Sequence, residues 1–364
     1  MKGFMRPGLE EIDPGVPAGR RPPIRLDCNE SPFDLPPSLK CLAAQKICDL
    51  SLNRYPDAAA LAVREQIARN LGVKPGEIVL GNGLDEVILM IVLAFGAGRR
   101  VIIPVPGFSA YKTSAILAGA TVVEVPLAPW LDLDVQKVLE EAAREPGLVF
   151  ICSPHNPTGR SVRPEIVERL LRETGSLVVV DEAYWEFAGT SCLSMLQEYD
   201  RLIVLRTFSK AFSLAGVRLG YAVLNEDAAS WLTRAKMPYN VSSLSLAVAG
   251  VVLDDPVHVR ETVSRVVAER ERVFSALLAS PHVVPLPSCA NFILFTTSCP
   301  AGDVYERLRE RGIAVRSFPR APFLSNYLRV SIGNPSDDDA FLDALNRLLV
   351  NEEQRAMMRG GFHA

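Results

Sequence analysis

The chain has 364 residues, 48% of them hydrophobic and 22% charged, with a net charge of −3 and a pI of about 5.9. That length suffices for a substantial core in one large α/β unit or two domains, and a balanced charge without a basic stripe or acidic tail argues against nucleic acid as a partner. The longest apolar stretch, Val87 to Phe95, is too short to span a bilayer, and MKGFMRPGLEEIDPG lacks the apolar centre of a signal peptide, so no membrane partner and a cytoplasmic location are expected.

Up to Pro37 the chain is rich in Pro and Gly and reads as an extended arm. From Tyr55 strands and helices alternate. "EIVLGNG" is a strand running into glycines, and "DEVILMIVLAF" reads as a buried helix. "RVIIPVP" is a strand, "SAYKTSAILAG" a helix ending at Gly119, and "TVVEVPL" a strand. "LVFICS" and "SLVVVDE" are strands separated by the helical "PEIVERLLRET", and "RLIVLRTFS" follows as another strand. Continuous β-branched runs alternating with helices predict a mostly parallel sheet covered on both faces. After Pro256 a long charged helix, "HVRETVSRVVAERERVFSALLA", leads to "ANFILF", "VYERLRERG", "IAVRSF" and "YLRVSIG", which read as a smaller α+β unit. The expected division is an arm and part of the small domain over 1–50, a large domain over 51–256 and a small domain over 257–364. The seven cysteines are irregularly spaced with no CxxC, and are expected to be reduced thiols serving mostly as core filler. Four scattered histidines offer no metal constellation, so no metal is expected.

Open parallel sheets bind ligands beyond the carboxyl ends of their strands, so the residues there carry the functional reading. Gly81-Asn82-Gly83 precede a helix start, where bare amides suit a phosphate; a plain glycine turn is the alternative. Asp181 ends "SLVVV" with Tyr184 close behind. The carboxylate can hold a pyridinium nitrogen protonated and the phenol can donate to a ring oxygen, or the pair is a helix cap and a packed ring. Asn156 sits in "PHNPTG", a loop stiffened by two prolines; His155 beside it reads as a supporting or surface group rather than a base. Ser209 and Lys210 follow "RLIVLRTF". An amine among small residues is desolvated and becomes nucleophilic, although one lysine alone is commonly a surface charge. Arg218 in "GVRLGY" can clamp a phosphate. Taken together, an amine, a pyridinium partner, a ring-oxygen donor and a phosphate cradle match pyridoxal 5′-phosphate, with Lys210 as the amine that joins its aldehyde.

The ordered set "LDCNESPF", "RYPD", "GNGLDE", "PVPGFSAY", "PHNPTG", "VVDEAYWEF", "RTFSKAFSLAGVRLGY", "ANFILF", "GIAVRSF" and "LRVSIG" resembles the fold-type I pyridoxal-phosphate aminotransferases, and most closely the histidinol-phosphate aminotransferase family. The resemblance spans nearly the whole chain. It implies a large domain with a mostly parallel seven-stranded sheet between helices, and a smaller α+β domain. It makes Lys210 the Schiff-base lysine and proton shuttle and Asp181 the partner of the pyridine nitrogen, with Tyr184 and Asn156 on the ring oxygen. Gly83, Leu84 and Asp85 offer phosphate amides, joined by Ser209 and Arg218, and Phe108 stacks on the ring. Tyr55 reaches the cofactor phosphate of a second subunit, which implies a homodimer with shared sites. Arg329 clamps a substrate carboxyl or its equivalent, Arg316 lies where a substrate phosphate is often held, and Asn29 sits near the substrate entrance. Both arginines lie on otherwise largely apolar strands, where each is expected to be buried against an anion.

One departure concerns the substrate. The family's arm usually reads Pro-Tyr-x-Pro-Gly, and here "PGVPAG" has Gly15 where that tyrosine falls, with Arg20 and Arg21 nearby. The expected reaction is transfer of an amino group from histidinol phosphate, or a related aromatic or imidazole amine or amino acid, to 2-oxoglutarate. The rivals are a decarboxylase or an oxidase on the same scaffold, and an effector-binding module of a transcription regulator, for which the short arm leaves no DNA-binding domain.

Overall fold

The computed structural model describes residues 6–12, 22–321 and 323–360. Its strands are β1 (Ile24–Arg25), β2 (Ile78–Gly81), β3 (Arg100–Val105), β4 (Thr121–Pro126), β5 (Leu148–Cys152), β6 (Leu177–Asp181), β7 (Leu202–Thr207), β8 (Gly220–Leu224), β9 (Val283–Pro285), β10 (Phe292–Thr297), β11 (Ile313–Ala314), β12 (Arg316–Ser317) and β13 (Tyr327–Ser331). β5, β7 and β8 are buried at every position; in β5 an unbroken apolar run accounts for it, while β7 buries Arg206 by pairing it with Glu182. Alternate residues feed two cores. Phe150, Val179, Ile203 and Leu205 pack on one face of the sheet, and Val149, Ile151, Val178, Val180 and Val204 on the other.

These strands form a seven-stranded sheet in the order β2-β8-β7-β6-β5-β3-β4. Every pairing is parallel except those of β8, which runs antiparallel to β2 and β7. The helices covering it are amphipathic. Pro164–Glu173, for example, buries Val167, Leu170 and Leu171 at helical spacing. After β4 the chain crosses to the other side of β3, and the carboxyl ends of β5, β6 and β7 lie side by side beyond that switch point.

A second, four-stranded antiparallel sheet, β12-β13-β10-β9, lies after residue 282. The N-terminal segment joins this region rather than standing apart: β1 pairs in parallel with β11, Ile24 opposite Ile313 and Arg25 opposite Ala314. "IAVRSF", read from sequence as one strand, is therefore two. β11 serves β1, β12 serves β13, and Val315 between them turns into the core. The cysteine expectation also needs correction. All seven thiols are free, but Cys152 and Cys192 alone are buried, while Cys28, Cys41 and Cys48 are exposed. Among the described residues, no helix is long and apolar enough to cross a membrane.

Candidate active site

β6 ends on Asp181, whose carboxylate is buried and held at both oxygens. The Ala183 amide donates to Oδ1 at 3.0 Å and the Tyr111 hydroxyl to Oδ2 at 2.5 Å. Burial pushes Asp181 up to about 6, against the pull of these two donors. Three residues on, the Tyr184 phenol is buried edge-on to Phe292, with ring centroids 5.2 Å apart. The segment carrying Tyr184 is anchored from behind by Glu182, which accepts Arg206 Nη2 at 2.9 Å in a fully buried ion pair and also takes the Ser191 hydroxyl and the Cys192 amide. The Arg206 guanidinium lies 3.8 Å from the centre of the Trp185 ring.

β7 leads through Phe208 and Ser209 to Lys210. The chain reverses there, the Phe208 amide donating to the Leu219 carbonyl as β8 begins. Lys210 Nζ donates to the Cys28 carbonyl at 3.2 Å and lies 5.8 Å from the Tyr184 ring centroid. Burial, and then the positive charge of Arg329, push its amine down to about 8. A carbonyl partner accepts one proton and offers no counter-charge to oppose that lowering.

β5 leads into the Ser153–Gly159 loop. Asn156 Oδ1 accepts Arg329 Nη1 at 2.6 Å, so its amide nitrogen points away from the arginine. His155 is buried with Nδ1 3.0 Å from the Thr158 hydroxyl, and burial pushes it down to about 4. It is a neutral loop support, as its sequence setting suggested.

The anion cradle lies at the end of β2. Gly83 (φ +85) caps helix Leu84–Ile91, and a Cβ there would stand 2.5 Å from Arg218 Nη2. The left-handed backbone there calls for glycine, and a Cβ would displace the Arg218 guanidinium. Arg218 Nη2 is 3.2 Å from Asp85 Oδ2, and the Ser209 amide and hydroxyl both meet Thr207 Oγ1, each at 3.1 Å. Gly220 lets β8 pass the helix start, since a Cβ there would fall 2.7 Å from the Leu84 nitrogen. The two arginines flanking the lysine segment thus have separate tasks: Arg206 is structural and Arg218 faces the cradle.

Asn29 does not stand at an entrance. It is 1% exposed with a left-handed backbone (φ 52), and it donates Nδ2 to the Tyr184 hydroxyl at 2.9 Å. Ser331 on β13 and Asn291 hold it in place, through its amide and side chain and through its carbonyl. Arg329 is buried, donating to Asn156 and to the Asp27 carbonyl at 2.7 Å, and its Nε has no partner among the described residues. Burial brings its guanidinium down to about 10. Arg316, expected to be buried, is exposed, because β12 is a two-residue edge strand. Phe108 is half-buried above this group, edge-on to Tyr111 at 5.5 Å. Tyr55 is 81% exposed and stacks on Tyr239 at 4.6 Å. Gly15, Arg20 and Arg21 lie outside the described residues. Sequence reasoning missed Tyr111, Ser331, Asn291 and the Cys28 carbonyl; of these only Tyr111 had a signal, one helical turn beyond Phe108 in "PGFSAY".

The set fits pyridoxal phosphate. An amine lowered to about 8, a buried carboxylate, a phenol, a half-buried aromatic ring and a glycine-and-arginine cradle come from four strand ends and one helix start. Arg329 Nε is buried without a hydrogen-bond partner among the described residues.

A family model, aminotransferase class I and II, matches residues 21–345. The histidinol-phosphate aminotransferase of Thermoanaerobacter pseudethanolicus is 40% identical over 330 residues, 90% of this chain and 93% of that protein. The one from Chlorobium luteolum is 37% identical over 349 residues, 95% of this chain and 98% of that protein. Among solved structures, histidinol-phosphate aminotransferase from Sinorhizobium meliloti in complex with pyridoxal-5′-phosphate superposes with a TM-score of 0.83 at 28% identity, covering 91% of this chain and 92% of that one.

Proposed function

The chain belongs to the class I and II aminotransferases and is a pyridoxal-phosphate-dependent aminotransferase of the fold-type I class; from that premise we propose that its amino donor is histidinol phosphate, its acceptor 2-oxoglutarate, and its setting amino-acid biosynthesis. The observation that carries the donor is the pair Arg316 and Arg329, placed directly opposite each other on β12 and β13, together with the curated relatives at up to 40% identity.

Bound pyridoxal phosphate supplies a protonated ring that absorbs the electron pair released when the substrate carbon loses its proton. Lys210 would hold the cofactor covalently and would move the proton away from the substrate carbon. Lowered to about 8 by burial and Arg329, its amine gives up a proton far more readily than an ordinary lysine. Asp181 holds the proton on the pyridine nitrogen, and its buried setting strengthens that charged hydrogen bond. Tyr184 and Asn156 orient the ring oxygen. Asn29 accounts for the direction of the Tyr184 bond: an amide nitrogen only donates, so the phenol oxygen accepts there and its own proton is free for the cofactor. Gly83, Leu84, Asp85, Ser209 and Arg218 hold the phosphate, and Phe108 covers the ring. Arg329 clamps the anionic end of either substrate and Arg316 the donor phosphate.

Tyr55, facing outward with Leu52, Met237 and Leu244 also exposed, supports a homodimer in which it reaches the partner's cofactor phosphate. Seven free thiols support work in the reducing cytoplasm. We read the chain as the arm with part of the small domain (1–50), the large domain (51–256) and the small domain (257–364). Borohydride reduction followed by peptide mapping tests the central assignment: the pyridoxyl group belongs on Lys210, and its recovery on another lysine overturns the reading.

A further inference from the structure

Asp181 has a partner that the scheme above leaves without a task. Tyr111 lies on helix Ser109–Ala118 and is 2% exposed. Its ring stacks on Phe150, with centroids 4.5 Å apart and planes 13° from parallel, and meets the edge of Phe108 at 85°. Packed on both sides, the phenol has little room to swing, and its hydroxyl is aimed at Asp181 Oδ2 at 2.5 Å. We propose that Tyr111 is a positioning residue whose hydroxyl keeps the Asp181 carboxylate ionised and turned toward the pyridine nitrogen, so that the proton between them stays on the ring. This rests on the reading that Asp181 faces that nitrogen.

The charge balance makes the hydroxyl matter. Tyr111 from its helix, Cys152 from the end of β5, Asp85 from helix Leu84–Ile91, and Glu182 and Tyr184 from the segment after β6 are the titratable groups around Asp181. Burial, Asp85 and Glu182 all favour the protonated acid, while the Tyr111 hydroxyl and the Ala183 amide oppose them. Tyr111 stays a donor throughout, because burial and the adjacent carboxylate push its own ionisation well up. One proton is shared between the carboxylate and the ring nitrogen, and its position follows their relative basicity. A donor to the carboxylate lowers that basicity and leaves the proton on the ring. Without it the proton moves to Asp181, no electron changes hands, and the ring becomes neutral and a weaker electron sink.

The test uses holoenzyme loaded with pyridoxal phosphate carrying nitrogen-15 in the ring, followed by the nitrogen chemical shift against pH. Tyr111→Phe keeps the ring packing and deletes only the hydroxyl, and Asp181→Asn is the control. Wild type should report a protonated ring, Asp181→Asn a neutral one, and Tyr111→Phe a nitrogen shift displaced toward the neutral-ring value, with kcat reduced about three- to tenfold and KM little changed. A packing role alone would lower thermal stability without moving the nitrogen signal. If Asp181→Asn moves the signal and Tyr111→Phe does not, the role of Tyr111 is overturned. If Asp181→Asn leaves the signal unchanged, the reading of Asp181 fails and the proposal with it. Should Tyr111→Phe not fold, 3,5-difluorotyrosine at position 111, a stronger donor, should displace the nitrogen shift toward the fully protonated value; an unmoved shift overturns the proposal.

Discussion

Asn29 and Tyr184 are joined by a single hydrogen bond of 2.9 Å whose direction is fixed, because the Asn29 side-chain nitrogen can only donate. Reversing that direction should uncouple Tyr184 from the cofactor. Asn29→Asp keeps the size and tolerates the left-handed backbone, but offers an acceptor, so the phenol proton turns toward residue 29. The expected loss in kcat/KM is about ten- to a hundredfold, the equivalent of about 1.5–3 kcal/mol for a hydrogen bond with a charged partner. Steady-state kinetics within threefold of wild type would refute this account of the pair.

Lys210 should titrate apart from the other lysines. With the amine pushed down to about 8, apoenzyme treated with an amine-reactive reagent should label Lys210 with a rate that reaches half its maximum near pH 8, against about 10.4 for an ordinary lysine. Folding linkage has a defined sign here. Between about 8 and the unfolded value the unfolded chain binds the extra proton, so this group's contribution to stability rises with pH through that window. A labelling midpoint at the ordinary lysine value would show that the amine is solvated.

Asp181 illustrates function held against stability. Its folded value of about 6 lies above the ordinary 3.8, so the folded chain binds the extra proton between these limits. This group's contribution to stability therefore falls as pH rises from about 4 to 6 and stays low above that. Asp181→Asn removes the buried charge but leaves one of two donors, Tyr111 or Ala183, with a poorer partner. Apoenzyme carrying it should be about 1–2 kcal/mol more stable than wild type at pH 7.5, and should have lost most turnover once loaded with cofactor. Denaturant titrations of apoenzyme at pH 4 and 7.5 measure the first effect. Equal stability at both pH values in wild type would remove its basis.

The exposed stack of Tyr55 on Tyr239 leads to a subunit-mixing experiment. Lys210→Ala and Tyr55→Ala should each be inactive or strongly impaired alone. On the proposal that the Tyr55 of one chain completes the site built on the Lys210 of the other, subunit exchange should rebuild one intact site per heterodimer. Stable heterodimers without recovered activity would refute the shared site.

Six strands of the large sheet were legible as apolar, largely β-branched runs, and the ends of three carry Asp181, Lys210 and the Asn156 loop within a few residues; β8, "GYAVL", has only one β-branched residue and was not read as a strand. Boundaries set by tertiary pairing were not legible. Nothing in "IAVRSF" marks Val315 as the point where one strand leaves β1 and the next joins β13. Arg316 looked buried because its neighbours are apolar, yet exposure was decided by its place on an edge strand, which no local pattern encodes. Asn29 looked like an entrance residue, whereas it is a buried link between Ser331 and Tyr184, some 300 and 155 residues away in sequence. Such long-range polar links leave no periodic trace, and the acceptor that Lys210 finds on Cys28 is backbone, which any residue could supply.

Substrate choice should follow from the arginine pair. Arg316 and Arg329 are cross-strand partners in an antiparallel pairing, so their side chains leave the sheet on the same face, and like charges so placed destabilise each other. Arg316 is among the influences that lower the Arg329 value. Among the described residues, no carboxylate pairs with either guanidinium, and the bonds of Arg329 go to an amide oxygen and a backbone carbonyl. Two opposed cations of this kind are relieved by an anion between them, and a phosphate dianion serves better than a single carboxylate. Arg316→Ala should therefore lower kcat/KM for histidinol phosphate about ten- to a hundredfold while changing that for phenylalanine by less than about threefold. Arg329→Ala should impair both donors and the 2-oxo acid. With Gly15 where the family resemblance expects an arm tyrosine, the wild-type preference for histidinol phosphate over phenylalanine should stay below about a thousandfold, roughly 4 kcal/mol of differential transition-state binding. The same panel of donors, run on wild type and both variants, decides each part. An Arg316→Ala enzyme that loses the two donors equally would show that the exposed arginine does not read the phosphate. A wild-type preference above a thousandfold would show that other groups have taken over the work of the missing tyrosine.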